Sequence, residues 1–129
     1  MTRGRQTRRR AARWAFGLFV IAWATASHWP NLRAPPVGIS NADKVVHFGA
    51  FVTWTVLLGL TGWVGTGAGG RRRVIVVALL YAILDEATQA FPILGRHADF
   101  SDLLADVAGA AVGLAILTLI GPTRAQRDS

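Results

Sequence analysis

The sequence predicts an all-α integral membrane protein, a bundle of four transmembrane helices with both the N- and the C-terminus in the cytoplasm. Three observations support this fold class. Hydrophobic residues make up 52% of the 129-residue chain and charged residues only 16%, whereas an average soluble domain carries about 25% charged residues. The apolar residues fall into four long runs, with the basic residues in short blocks between them. A chain of this length forms one domain.

Each apolar run is close to the length of a membrane span, because a helix rises 1.5 Å per residue and the hydrocarbon core requires about 20 residues. The first run is uncharged, the second contains His47, the third contains Asp85 and Glu86, and the fourth contains Asp106. The four spans are predicted at residues 14–29, 45–65, 74–93 and 103–120.

The remaining segments are short tails and connections. Residues 1–13 form a basic cytoplasmic tail, residues 14–120 form the four-helix transmembrane domain, and residues 121–129 form a second cytoplasmic tail. No cysteine is present, so disulfides and cysteine-based sites are excluded. The high pI of about 11.7 would suggest nucleic-acid binding in a soluble protein, but the arginines flank apolar runs, so we expect no nucleic-acid partner.

Topology follows from the distribution of basic residues, since cytoplasmic loops carry an excess of lysine and arginine. Eleven arginines lie in the two tails and the second connection, and three basic residues lie in the first and third connections. Both termini are therefore predicted inside. The eleven are Arg3, Arg5, Arg8, Arg9, Arg10, Arg13, Arg71, Arg72, Arg73, Arg124 and Arg127, and the three are Arg33, Lys44 and Arg96.

Two other interpretations of the apolar runs are open. A basic region followed by an apolar stretch and Ala24-Thr25-Ala26 resembles a signal peptide, whose cleavage would leave three helices. The bulky Trp23 and Trp29 favour an interfacial anchor instead. A soluble four-helix bundle would require polar outer stripes, and these helices are apolar on nearly all sides.

On this topology the ionisable residues lie almost entirely at the outer side. Six of the seven acidic residues and all three histidines fall there. Spacings of three and four residues place the polar groups of each helix on one face, and the Gly109-x-x-x-Gly113 pattern is typical of helix packing. Because a carboxylate facing lipid costs about 2.5–3.5 kcal/mol, we expect these groups to point into the bundle.

Their chemistry suggests a candidate site at the outer leaflet. His47 and Glu86 are the candidate catalytic acid or base, since imidazole and carboxyl groups are side chains that commonly transfer protons in catalysis. Lys44 and Arg96 are suited to bind an anionic group such as phosphate. The candidate substrate-binding residues are Lys44, Asp85, Gln89, Arg96, Asp102 and Asp106.

The ordered polar motifs resemble those of the VanZ-like family of small bacterial membrane proteins. The motifs are Asp43-Lys44-x-x-His47-Phe48, Tyr81 with Asp85-Glu86-x-x-Gln89, Pro92 with Gly95-Arg96, and Asp102-x-x-x-Asp106-x-x-Gly109-x-x-x-Gly113. The resemblance covers residues 43–118 and implies a multi-pass protein of the bacterial cytoplasmic membrane. The family's namesake is associated with reduced susceptibility to the glycopeptide teicoplanin. The family typically has Asn where this chain has Asp106, which here adds a charge and removes an amide donor.

Three functions remain open at this point. The first is an enzyme or binder acting on a lipid-linked or cell-envelope substrate, with the lipid bilayer as its surroundings and no cofactor. The second is a non-enzymatic structural or partner-binding protein in which the polar residues form an interhelical network. The third is a metal site of His47, Glu86 and Asp102, which lacks a tight ligand motif, so no metal is predicted. Transport is disfavoured by the small size, and the sequence predicts no oligomeric state.

Overall fold

The computed structural model describes residues 2–29, 41–91 and 99–120. These residues form four α-helices and no strand, which confirms the all-helical prediction for them. Among the described helices, α2 and α4 have the length and apolar composition of a membrane span. The helices are α1 (Thr2–Ser27), α2 (Ala42–Thr61), α3 (Gly67–Gln89) and α4 (Phe100–Ile120).

The helices differ in length from the apolar runs that predict them. Helix α1 begins at Thr2 rather than at residue 14, because arginine and alanine favour helix and the basic segment continues the apolar one. Helix α3 begins at Gly67 rather than at residue 74, so its arginines occupy its first turns. It ends at Gln89 rather than at residue 93, since Pro92 disfavours helical backbone in the preceding residue.

One end of the bundle is basic. Helix α2 ends at Thr61 and is capped by Gly62, whose φ of 71° lies in the left-handed region that glycine adopts without strain. The chain then turns back into α3. The Arg13 Nε–H donates to the Thr61 carbonyl at 3.2 Å, which ties the N-terminal half of α1 to this end. A cavity of about 830 Å³ opens here, and its basic lining residues are Arg5, Arg8, Arg9 and Arg71.

Helices α2 and α4 pack in close contact at two glycines. A Cβ on Gly109 would collide with the carbonyl oxygen of Phe48, and one on Gly113 would lie 2.8 Å from the carbonyl oxygen of Val52. Any larger residue would therefore push the two backbones apart. The buried face of α4 also carries Asp102 and Asp106, so the stripe that packs on its neighbours carries the carboxylates, as the spacing predicts.

The core between the two ends is aromatic. The Trp54 and Tyr81 rings stack with centroids 5.0 Å apart, and Phe16 meets Trp54 edge-on at 5.2 Å. Large apolar side chains also cover much of the outer surface, which is the pattern of a protein surrounded by lipid rather than water. The most exposed ones include Trp14, Leu18, Ile21, Leu80, Phe100 and Leu119.

Candidate functional site

The second end of the bundle gathers the polar residues. The C-terminal ends of α1 and α3 meet the N-terminal ends of α2 and α4 there, because consecutive helices run antiparallel. Most of these side chains are buried although they are polar or charged. We call the following set the polar cluster: Ser27, His28, Lys44, His47, Asp85, Glu86, Gln89, Asp99, Asp102 and Asp106.

His47 and Asp106 form the innermost pair of the polar cluster. The His47 Nδ1 lies 3.0 Å from Oδ1 of Asp106, and the two residues are 3% and 0% exposed. With Asp106 ionised, the imidazole donates this bond, which orients the ring and leaves Nε2 as its basic nitrogen. The Trp23 ring packs nearly perpendicular to the imidazole, at a centroid distance of 5.1 Å. The pair thus has the form of a buried histidine oriented by a carboxylate.

Asp85 is held from two helices. The Ser27 hydroxyl of α1 donates to its Oδ1 at 3.1 Å, and the Gln89 amide of α3 donates to its Oδ2 at 3.2 Å. The His28 Nδ1 lies 3.8 Å from Oδ1, and its Nε2 lies 2.7 Å from the Thr88 hydroxyl. Both oxygens of this buried carboxylate therefore have partners, and its orientation is set by the surrounding side chains.

Lys44 lies at the rim of the polar cluster among three carboxylates. Its ammonium is 3.3 Å from Asp102, 3.4 Å from Asp99 and 3.6 Å from Asp43. Asp99 also accepts hydrogen bonds from the backbone N–H and the hydroxyl of Ser101. Asp99 is therefore the N-cap of α4. These bonds, together with Lys44, lower the pKa of the exposed Asp99 carboxyl.

Glu86 joins α3 to the start of α4. Its Oε1 accepts a hydrogen bond from the backbone N–H of Asp99. Its Oε2 is buried and has no hydrogen-bond partner among the described residues, and the same holds for Oδ2 of Asp106. A buried polar atom without a partner costs about 1–3 kcal/mol. Two buried carboxylate oxygens are thus available to bind a ligand, because no described residue donates a hydrogen bond to them.

One group in the polar cluster has the composition and spacing of a metal site. One ligand atom from each of His47, Asp85 and Asp106 lies within 4.8 Å of the others, and all three residues are buried. This is the single such group that the described ranges contain, and it differs from the set of His47, Glu86 and Asp102 considered from the sequence. The spacing along α2 and α4 could not reveal that Asp85, on α3, faces the His47–Asp106 pair.

The structure brings most of the sequence-derived candidates together. His47, Asp85, Glu86, Gln89, Asp102 and Asp106 are buried and Lys44 lies at their rim, whereas Arg96 lies outside the described residues. Lys44 and His47 share a helix face as expected, but they contact different carboxylates.

Three members of the polar cluster were not predicted as candidates. Ser27 and His28 are polar residues at the outer end of the first apolar run. That position is the one feature of the sequence that could have indicated their place in the polar cluster. The contacts of Asp99 depend on where α4 begins, which is Phe100 and not residue 103.

Fold and composition together define a helical protein with two helices suited to span a membrane. A family model described as VanZ/LLP1 matches residues 5–121. The chain belongs to this family, which confirms the resemblance drawn from its polar motifs and, with the two apolar helices, indicates a membrane protein. No curated protein and no solved structure matches the chain.

Proposed function

We propose that this chain is a multi-pass protein of the bacterial cytoplasmic membrane that binds or processes a lipid-linked or cell-envelope substrate at the outer leaflet. All four helices cross the membrane, and both termini are cytoplasmic. The observation that carries the proposal is the convergence of a buried histidine–carboxylate pair with three further buried acids, Asp85, Glu86 and Asp102, at one end of the bundle.

The orientation is supported by the opposite character of the two ends. Arginines line the cavity at the basic end, and basic residues favour the cytoplasmic side. The polar cluster then faces outward. Asp106 lies six residues after the start of α4, which corresponds to a depth of about 9 Å along the helix. This is close to the level at which lipid head groups meet the acyl chains.

The pair of His47 and Asp106 supplies the acid–base chemistry in this proposal. A neutral imidazole whose Nδ1–H is held by a carboxylate presents Nε2 as a proton acceptor, and the carboxylate stabilises the imidazolium that forms. Glu86 is the second candidate, because one of its oxygens is held by a backbone N–H and the other is buried without a partner among the described residues. Both groups are buried, and electrostatic interactions are stronger in the protein interior than in water.

Lys44 and Arg96, the two basic candidates, are not equally suited to bind an anion. Lys44 lies among three carboxylates that balance its charge, so its attraction for a phosphate is weak. We therefore assign the greater share of anionic head-group binding to Arg96 and keep Asp85, Gln89 and Asp102 as groups that shape the polar cluster.

The experiment is lipid and cell-wall profiling of a deletion strain of the source bacterium, complemented with single variants. We expect a lipid-linked species to change on deletion and to recover with the wild-type gene, but not with Glu86→Gln or His47→Gln at equal membrane abundance. Asp43→Asn is the matched control, because it removes an acidic charge at the exposed rim and leaves the buried groups intact. Full recovery with both buried variants would contradict the proposal.

A second function is favoured by one specific observation. The bonds His47–Asp106 and Ser27–Asp85 each join two different helices, so the polar cluster also has the form of an interhelical network. A purely structural or partner-binding role would make every buried variant lose abundance in step with its loss of function. Variants that are abundant and inactive would favour the first proposal over this one.

A further inference from the structure

We infer that His47, Asp85 and Asp106 bind a divalent metal ion through one imidazole nitrogen and two carboxylates. The three residues come from α2, α3 and α4, and their ligand atoms lie within 4.8 Å of one another. Zinc binds nitrogen and oxygen ligands at about 2.0–2.2 Å, so ligand atoms around a tetrahedral ion are roughly 3.5 Å apart. Shifts of about an ångström in the side chains would close the set around an ion.

Charge balance supports a cation at this position. The buried part of the polar cluster holds Asp85, Glu86, Asp102 and Asp106. Lys44 is engaged by Asp102 and by the exposed Asp99, so it does not balance the charge of the other three buried acids. Within the described ranges, the cationic partners left for the buried carboxylates are His47 and His28, which are charged only when protonated. An unpaired charge in a low-dielectric interior is costly, and buried charges are paired or coordinate metals.

An independent observation points to a ligand in the same place. Asp106 is fully buried, and its Oδ2 has no hydrogen-bond partner among the described residues although Oδ1 is bound to His47. A carboxylate oxygen accepts hydrogen bonds or binds a cation, and leaving it with neither costs stability. An ion among the three side chains would satisfy this oxygen without any new donor from the protein.

The neighbours of the three ligands are those that a metal site needs. Asp85 accepts hydrogen bonds from Gln89 and Ser27, and such partners hold a ligating carboxylate in place and tune its affinity. The Trp23 ring packs against the imidazole of His47 and restricts its orientation.

The donor set defines the class of ion. One imidazole and two carboxylates suit zinc or manganese, whereas Mg²⁺ prefers an oxygen shell that retains several waters. Three protein ligands leave one or more positions for water or for an oxygen of a bound molecule. Metal binding does not depend on the proposed lipid-linked substrate, and it can be tested without one. With an ion bound, the imidazole of His47 is a ligand and not a free base, and Glu86 is then the acid–base candidate.

The test is metal binding by the full chain, purified in detergent with an affinity tag that contains no histidine. After treatment with a chelator, the protein is titrated separately with Zn²⁺, Mn²⁺ and Mg²⁺, and bound metal per chain and thermal unfolding are measured. We expect about one equivalent of Zn²⁺ or Mn²⁺ with a raised unfolding temperature, and much weaker binding of Mg²⁺. A wild-type chain that binds neither Zn²⁺ nor Mn²⁺ would overturn the inference.

Two substitutions locate the ion. Asp106→Asn keeps the shape of the side chain and removes a ligand, so affinity should fall at least about tenfold. Asp102→Asn is the matched control, because it makes the same change one turn earlier on α4, where the carboxylate contacts Lys44 and is outside the ligand set. If Asp106→Asn does not fold, His47→Gln replaces it. Equal affinity in the ligand variant and the control would contradict the assignment even if the wild type binds metal.

Discussion

The Nδ1 atom of His47 lies 3.0 Å from Oδ1 of Asp106, and neither side chain has appreciable contact with solvent. The pair links α2 to α4 one turn before Gly109, where α4 packs directly on the backbone of α2. The position of this glycine therefore sets how near the imidazole and the carboxylate can lie.

The first prediction concerns the contribution of this pair to stability. Asp106→Ala should lower the free energy of unfolding by about 1–3 kcal/mol, because it leaves the buried imidazole of His47 without its partner. Asp106→Asn should cost less, since its amide oxygen still accepts the bond. Unfolding of the metal-free protein in detergent measures both, and the exposed Asp43→Ala is the control, with an expected change within about 0.5 kcal/mol. Equal costs for the three variants would show that the pair does not stabilise the bundle.

The second prediction concerns the packing of α2 on α4. Gly109→Ala should lower the free energy of unfolding by about 1–3 kcal/mol, because the added Cβ collides with the backbone of Phe48. Gly49→Ala is the matched control, since a Cβ at that helical position meets nothing within 4 Å, and alanine favours helix. Thermal unfolding of the two variants in the same detergent decides the matter. A Gly109→Ala variant as stable as Gly49→Ala would contradict the close approach of the helices.

The third prediction concerns the partner of Lys44. Lys44→Asp should be destabilising because it places a fourth carboxylate among Asp43, Asp99 and Asp102. Adding Asp102→Lys should recover part of the loss, with a coupling of about 0.2–1 kcal/mol as expected for a partly exposed pair. A double-mutant cycle of unfolding free energies measures the coupling. If the double variant loses as much unfolding free energy as the two single variants together, the contact does not contribute to stability.

The fourth prediction concerns pH. The hydrogen bonds from Ser101 and the charge of Lys44 lower the pKa of the exposed Asp99, so this group stabilises the folded state above its unfolded pKa and loses that effect as pH falls through the folded value. Ser101→Ala should raise the pKa of Asp99 toward its ordinary value, because it removes the hydroxyl donor. NMR titration of the Asp99 carboxyl measures the shift. A pKa that does not rise would show that the hydroxyl is not the cause.

The elements of this protein could be predicted well from sequence, because long apolar runs and spacings of three or four residues depend on local chemistry. The buried stripe of Asp102, Asp106 and the two glycines followed directly from that spacing. The contacts between residues of different helices could not be predicted from that spacing. Nothing in the linear pattern specifies that Asp85 is bound by Ser27 of α1, since that contact depends on how the helices are rotated against one another.

The helix ends were harder to predict, for a physical reason. The apolar runs mark the part of a helix that avoids water, and a helix continues beyond them for as long as its backbone bonds and caps allow. The start of α4 at Phe100, with Asp99 as its cap, is set by hydrogen bonds to Ser101 rather than by hydropathy. The contact between Glu86 and Asp99 depends on that start and was not predicted.

The proposed function requires that the polar cluster faces outward at one end of a four-span bundle. The most direct test uses single cysteines, which the natural sequence lacks, at Asn41 beside the polar cluster and at Thr66 beside the basic end. Intact cells or spheroplasts are treated with a thiol reagent that does not cross membranes. The Asn41→Cys chain should be labelled at once, and the Thr66→Cys chain only after the membrane is permeabilised. Labelling in the opposite order would place the polar cluster in the cytoplasm and contradict the proposed function.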